Sequence, residues 1–543
     1  MALPATGVYE IRATATANNV NGGGFNSARG GTDYTLQDAA QYTATDLTQV
    51  SSNSVTCTSA TAGFTADMVG NYIHITAGTS FTVGWYEIVV VNSSTSIDLD
   101  RDPTASGTGS SGTFYVGGAL SMNSTLDDDV FETAVAGNIF YVRGAAGTVT
   151  IGETVTIAAG GGSQNPIKII GYNSTRGDNP TGSTRPTLAF GANGATLGSN
   201  WEMYYLIYTG TAASLITLQS NSKFIWCKGV NASTTANRSA LTTGTDSSCI
   251  SCEFISYRGR AVTLGVNVNS LFRDCWVHSS DVGFFSSTSS GYHVLNEVVV
   301  SGCVTAAIQF SGAVTARFGL ADSALFGALN TKGIGVSLAT GCTDIFITNT
   351  IISGFVTGVS HADVQSVGFD DFNCYHNNDT DVTNWTKGDN DVTTDPAFTN
   401  VGQVTGTAGA FTAGNDRLID TTKNFTSLGV VAGDHIHIVS GTGVTAGIYA
   451  ISSITTDTNP NDTLILTPAP GTNTTADKTY EIETGHDFMP TGAINVGNPG
   501  PFPGGFTTGV KKIGAFQNNG SGGGSGSGGG VGNPMPHLHM LLR

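Results

Sequence analysis

Between Trp226 and Cys374 a short phrase recurs, and it constrains the fold more than any other feature of the chain. Each copy is an apolar residue, a spacer and a small, amide or acidic residue, with apolar positions following. The copies are Trp226-Cys227-Lys228, Ile250-Ser251-Cys252, Phe272-Arg273-Asp274, Val294-Leu295-Asn296, Leu320-Ala321-Asp322, Ile347-Thr348-Asn349 and Phe369-Asp370-Asp371. They begin at intervals in the low to middle twenties. A period of that size marks a solenoid, in which one unit cannot bury its own apolar face and stacking buries it.

The residue types decide which solenoid. A leucine-rich repeat needs Leu at fixed spacings and a helical half. These units are built from Val, Ile, Phe, Thr and Ser, broken by Gly and Asn, which are strand and turn residues. Residues 343–355 alone read as two or three short strands. With 73 glycines and only 11% charged residues, the composition suits an all-β chain rich in turns. The fold class expected is all-β, a right-handed parallel β-helix. The Asn or Asp in third position is expected at a left-handed bend, stacking coil on coil as an amide ladder.

Two other stretches alternate strictly and are related to each other. Gly70, Ile73-His74-Ile75, Gly78-Thr79, Gly84, Tyr86 and Ile88 match Gly433, Ile436-His437-Ile438, Gly441-Thr442, Gly447, Tyr449 and Ile451 at one constant offset. Phe64/Phe425 and Leu99/Leu466 lie just outside that register. Each stretch is expected to be a small antiparallel β-module inserted near one end of the solenoid. Alternation turns the isoleucines inward and each histidine outward, so His74 and His437 are expected to pack on a neighbour or face solvent. His435 shares a face with His437, but Tyr72 stands at its matching position, so a paired-His ligand set is not repeated. The organisation read from these patterns is an N-terminal cap and solenoid start over 1–46, with a short capping helix at Asp38–Tyr42, and a first module over 47–120. The parallel β-helix covers 121–400, a second module 401–487, and a final coil 488–517. A Gly/Ser tether with a terminal docking peptide covers 518–543; its docking residues are Pro536, His537, Leu538, His539, Met540, Leu541 and Leu542.

Composition narrows the function. The net charge is −18 with 22 basic residues, so no basic stripe is available for nucleic acid or an anionic membrane surface. No run of 18 apolar residues occurs, and Met1–Thr6 has neither a basic nor an apolar signal region, so no secretion signal is expected. The eight cysteines sit mostly inside strand phrases. Cys249 and Cys252 form a CxxC without a second pair or a nearby histidine, so they are read as small buried residues and no metal is expected. Unpaired thiols suit folding in a reducing cytoplasm. Arg176-Gly177-Asp178 lies in a loop and is read as a chance tripeptide.

Catalytic candidates are acids near bases: Glu253 with Arg258 and Arg260; Asp274 with Arg273, His278 and Asp281; Asp322; and Asp370-Asp371. Asp274, Asp322 and Asp371 occupy the position where other copies carry Asn296 and Asn349, so they are read as structural. No catalytic residue and no cofactor is assigned. The Asp395-Pro396-Ala397-Phe398 and Ile513-Gly514-Ala515-Phe516 closers and the coils of 121–400 resemble right-handed parallel β-helix proteins of the pectate-lyase-like class. Asn21-Gly22-Gly23-Gly24-Phe25, Gly31-Thr32-Asp33-Tyr34 and the Phe-x-x-x-Met-Val-Gly-x-x-Ile module at Phe64–Ile73 are similar to β-helix proteins of bacteriophages and environmental viral genomes. The resemblance implies a virion structural protein of a tailed phage: a fibre, spike or capsid-decoration protein made in the host cytoplasm. The expected partners are other virion proteins, further copies of the chain in a trimer, and a host surface glycan met by the modules. A tailspike-type polysaccharide depolymerase, lyase or glycosidase, and a bacterial surface adhesin are the alternatives.

Overall fold

The computed structural model describes residues 3–484, apart from 5–6, 126, 158–159, 266–268, 288–290, 313–316, 328–332, 364–367, 399–401, 413–415, 457–461 and 472–473. The chain divides into two compact units, residues 1–231 with 238–253, and residues 232–237 with 254 onward. Each contains solenoid coils and one closed antiparallel barrel.

In the first unit the coils stack in strict register. Val8–Ile11 pairs in parallel with Ile139–Arg143, which pairs with Ile167–Tyr172, then Trp201–Tyr204, Lys223–Ile225 and Ser247–Ile250. Register puts Tyr9, Phe140, Ile169, Met203, Phe224 and Cys249 in one inward file, all essentially buried. Burial of each large member stabilises the stack by roughly 1.5–3 kcal/mol. A helix, Asp127–Glu132, packs against this file and buries Val130 and Phe131. Phe131 meets the rings of Phe140 and Trp201 edge-on, at 5.1 and 5.9 Å. The short helix expected at Asp38–Tyr42 does not form. There the chain bends instead and enters a barrel strand, Tyr42–Gln49.

The coils of the second unit continue the pattern. Ser270–Arg273, Tyr292–Asn296, Arg317–Ala321, Ile345–Thr348 and Gly368–Asp371 pair in parallel. Their inward file is Phe272, Leu295, Leu320, Ile347 and, in the last coil, Asp370. A second strip, Val299, Ala324, Ile351 and Cys374, is covered from outside by Val392 and Phe398, so the Asp-Pro-Ala-Phe closer lies over the wall of the helix.

The bends explain the recurring phrase. A left-handed residue stands at Trp226, Ser251, Asp274, Glu297, Asp322, Asn349 and Phe372. Only three of these are Asp or Asn, and two of them, on adjacent coils, bond to each other, Asn349 Nδ2 donating to Asp322 Oδ1 at 3.2 Å. The following residue is always buried: Cys227, Cys252, Cys275, Val298, Ser323, Thr350 and Asn373. Most of these carry an S–H or O–H that donates to the carbonyl two residues back. Cys252 reaches Ile250 O at 3.3 Å, Ser323 reaches Ala321 O at 2.7 Å and Thr350 reaches Thr348 O at 3.0 Å. A small side chain with one donor satisfies a buried acceptor there. This is why Cys, Ser and Thr interchange at the corner, and why the CxxC pair is structural. All eight cysteines are buried thiols.

The two barrels share one topology. The first uses Tyr42–Gln49, Thr56–Thr58, Tyr72–Thr79, Gly84–Ser93, Ser96–Leu99 and Ser110–Val116. The second uses Gly402–Phe411, Arg417–Ile419, His435–Ser440, Gly447–Thr456, Asp462–Thr467 and Lys478–Thr484. In both, strands close in the order first, second, fifth, fourth, third, sixth. The duplication extends to single bonds. Tyr86 OH donates to Thr82 O at 2.8 Å and Tyr449 OH to Thr445 O at 2.6 Å. Gly70 N donates to Ile88 O, and Gly433 N to Ile451 O, both at 2.8 Å. Gly84 and Gly447 have φ of 156° and 151°, which a side chain would strain.

Candidate functional site

The second barrel gathers two histidines and two glutamates on one outward face. Along Lys478–Thr484, Tyr480 and Ile482 enter the barrel core, and alternation turns Glu481 and Glu483 outward. On the neighbouring strand Ile436 and Ile438 point in, and His435 and His437 point out. His437 is in register with Glu481. Its Nδ1 lies 2.8 Å from Glu481 Oε1, and Gln403 Nε2 donates to Glu481 Oε2 at 3.2 Å.

This outward face rests on solenoid strands of the same unit. The His435 ring lies 5.6 Å from both Tyr257 and His278. His278 is stacked on Trp276 at 3.7 Å, with Nδ1 3.0 Å from Ser279 Oγ. Arg258 lies against Gly447, where an added Cβ would come within 2.8 Å of its Cδ. Burial raises the Asp281 carboxyl above its usual range, while Arg258 and His437 pull it back. Ser279, Gly302, Val304, His437, Glu481 and Glu483 are among the residues enclosing a cavity of about 30 Å³. That volume admits a water molecule. A histidine oriented by a carboxylate beside a water-sized space is able to exchange protons. Among the described residues no group of three or more His, Cys, Asp or Glu is placed to hold a metal ion.

Of the residues nominated from sequence, His278, Asp281 and Arg258 come together here with His435 and His437. Glu481, Glu483 and Gln403 were not nominated; the E-x-E alternation beside H-x-H was the available signal. The others lie elsewhere. Glu253 is bonded to Lys228 at 2.7 Å. Arg260 sits 3.3 Å over the Phe285 ring and donates to Asn237. Asp274 and Asp322 hold left-handed bends. Asp371 accepts from the backbone N–H of Phe372 and Asn390, at 3.0 and 2.9 Å. Asp370 ends the inward file of the second unit, accepting from Trp385 Nε1, Asn373 Nδ2 and, at 2.6 Å, Tyr375 OH. Burial, and then the neighbouring Asp391, push its carboxyl up to about 7.

The first barrel turns the matching face onto its own unit with different chemistry. His74 is buried and stacked on Trp85 at 4.1 Å, and its Nδ1–H donates to Val20 O at 3.0 Å. Burial lowers its pKa to about 4. Trp85 Nε1 donates to Asn21 O at 3.1 Å, and Tyr72 meets Tyr9 edge-on at 5.3 Å. The Arg-Gly-Asp loop is exposed but tied to its own unit: Arg176 bonds Glu10 and Asp33, and Asp178 accepts from the N–H groups of Asn173, Ser174 and Thr175. Residues 536–542, the expected docking peptide, lie outside the described residues, as do the final coil over 488–517 and the tether. Among the described residues no helix is long and apolar enough to cross a membrane.

No protein-family model matches the chain, and no curated protein does. Several solved structures are similar to it. The pectate lyase Pel9A is 14% identical, covering 71% of this chain and 88% of that one, with a TM-score of 0.38. The tailspike protein gp49 from Pseudomonas phage LKA1 is 12% identical over 82% of each chain, TM-score 0.25. A mutant tailspike protein of E. coli bacteriophage HK620, in complex with a pentasaccharide, is 12% identical over 66% of this chain and 89% of that one, TM-score 0.19.

Proposed function

We propose that the chain is a virion structural protein of a tailed bacteriophage, a fibre, spike or capsid-decoration protein whose β-helix is a shaft carrying two related modules. One observation carries the reading. Of the carboxylates nominated as catalytic acids, Glu253 pairs with lysine, Asp274 and Asp322 hold bends, Asp371 accepts backbone N–H groups and Asp370 is buried against Tyr375 OH, and the cavity where histidine and glutamate gather is only about 30 Å³. Those side chains serve the integrity of a long stacked body, which is the physical requirement of a shaft. Its partners are other virion proteins, and copies of itself in a trimer. Residues 536–542 dock it.

Mass spectrometry of purified virions tests the assignment: the chain should be recovered stoichiometrically, and its absence would sink the proposal. Deleting residues 518–543 should abolish incorporation, and unchanged incorporation would remove the docking role. The depolymerase alternative is checked by incubating wild-type and Asp274→Ala proteins with host polysaccharide. Release of oligosaccharides by the wild type alone would replace the structural reading with an enzymatic one.

A further inference from the structure

We propose that the exposed bend at Trp226 is a carbohydrate site, and that its ligand is an acidic oligosaccharide whose sugar ring completes an aromatic stack. In the first unit the bends at Tyr205 and Trp226 follow one another up the solenoid. Tyr205 N donates to Ile225 O at 3.1 Å, and Trp226 N to Ile250 O at 3.0 Å. Both residues hold left-handed backbone, with φ of 55° and 53°, a conformation bulky side chains rarely adopt. Their rings stack 4.9 Å apart and 15° from parallel. The next bend in the series is Ser251, with φ 54°. Its side chain is too small to continue the stack. One face of the Trp226 ring is left open above it, and the residue is 46% exposed.

The surroundings select the occupant. Beside the bends runs a half-buried row in register, Ile170, Tyr204, Ile225 and Ile250. Next to it, also in register, stand Lys168, Glu202 and Lys223, with Lys223 Nζ 3.0 Å from Glu202 Oε1. On the other flank Lys228 bonds Glu253. Arg185 donates to the carbonyl of Trp226 itself at 2.9 Å. A sugar ring presents a C–H face to an aromatic plane and a rim of hydroxyls to charged side chains, which matches an open ring bracketed by polar groups. The cations Lys168, Arg185, Lys223 and Lys228 outnumber the anions Glu202 and Glu253, in a chain of net charge −18. That local excess favours a sugar bearing carboxylates. A second protein copy fits less well, because the centres of protein interfaces are depleted in Lys and Glu. The inference does not rest on virion assembly: the bend would bind saccharide whatever the chain is built into, so the failure of one reading leaves the other standing.

The test uses the full-length protein and octasaccharides of polygalacturonate, alginate and hyaluronate, with a dextran octasaccharide as the neutral control. Binding is read by tryptophan fluorescence and by saturation-transfer NMR. At least one acidic octasaccharide should bind, more tightly than dextran. Trp226→Ala should weaken it about tenfold or more, equivalent to at least about 1.4 kcal/mol. Ser251→Tyr is the second variant. It places an aromatic residue at a bend whose two preceding coils already carry one, and should occlude the Trp226 face and abolish binding with an unchanged circular dichroism spectrum. No binding of any of the three acidic octasaccharides to wild type, or undiminished binding by both variants, would overturn the proposal. A lower sedimentation coefficient for Trp226→Ala than for wild type would also overturn it, and would assign the ring to a contact between copies.

Discussion

Acid should loosen the first barrel through a single side chain, His74. The ring is 1% exposed, sandwiched between Trp85 and the backbone near Val20. Burial lowers its pKa from 6.5 to about 4. Between those values the unfolded chain binds a proton that the folded chain does not, so stability falls as the pH falls through that window. From pH 7 to pH 4.5 the loss is about 2.4 kcal/mol, or roughly sixtyfold in the opening equilibrium. Hydrogen–deuterium exchange of the full-length protein, read on peptides spanning Tyr72–Thr79 and Gly84–Ser93 and corrected for intrinsic rates, measures that equilibrium locally. His74→Gln keeps a donor for Val20 O and removes the titration. It should lose about 0.5–1.5 kcal/mol of stacking at pH 7 and show a much flatter acid response. Other groups titrate over the same range, so the decisive quantity is the wild-type change minus the variant change. If that difference is near zero, the burial of a neutral His74 does not set the acid response, and the reasoning fails.

Other consequences follow from buried charge and from the bends. Glu10 is fully buried between Arg12, Arg176 and Tyr172, so Arg176→Ala should cost about 3–5 kcal/mol and lower the melting temperature by several degrees, whereas the adhesion reading of the tripeptide predicts no such loss. Cys252→Ser preserves the corner donor and should change stability by less than about 1 kcal/mol, while Cys252→Leu should cost about 1–3 kcal/mol by overpacking; urea titration separates the two. The Asp370 carboxyl, raised to about 7 first by burial, stabilises fully below its unfolded value near 3.8, and that contribution is lost as pH rises through about 7. Asp370→Asn should therefore flatten the dependence of the urea midpoint on pH between 5 and 8, and an unaltered slope would remove Asp370 as its source.

The solenoid and the duplicated modules were legible because each rests on a periodic signal. The phrase repeats once per coil, and one offset carries Gly70, Ile73, Tyr86 and Ile88 onto Gly433, Ile436, Tyr449 and Ile451. The chemistry of the bends was only half legible. The requirement is a left-handed backbone followed by a small buried residue, and Trp226, Glu297 and Phe372 meet the first condition as well as Asp274 does. Asn or Asp is one solution to a backbone demand, so the amide pair Asn349–Asp322 shares its series with bends that carry neither residue type. The seat of the second module was not legible at all. It joins His435 to Tyr257 and His278 across more than a hundred residues of sequence, and no local pattern encodes such a meeting. The aromatic bend was hidden for the same reason, since Tyr205 and Trp226 read as two unrelated aromatics until coils are stacked.

Comparison of the two barrels separates what the module needs from what its location needs. The inward residues are matched: Phe64 with Phe425, Ile73 with Ile436, Tyr86 with Tyr449 and Leu99 with Leu466. The outward face is not. Across from His74 stands Tyr115, and across from His437 stands Glu481; Trp85 occupies the place of Ile448. A core that must fill a closed barrel tolerates little change in volume, while the outer face answers only to whatever it rests on. In the first barrel that is backbone and aromatic surface. In the second it is a wall carrying Arg258, His278 and Asp281, and the module meets it with histidine and glutamate. Glu481→Gln tests this division. It exchanges a charge-assisted bond to His437 for a neutral one, a loss of about 1 kcal/mol, and touches nothing in the barrel core. Exchange of His435–Ser440 should quicken about fivefold while Gly447–Thr456 and the whole first barrel keep their protection. Uniform loss of protection across the second barrel would mean that the outer face also holds the core together, and the division would fall.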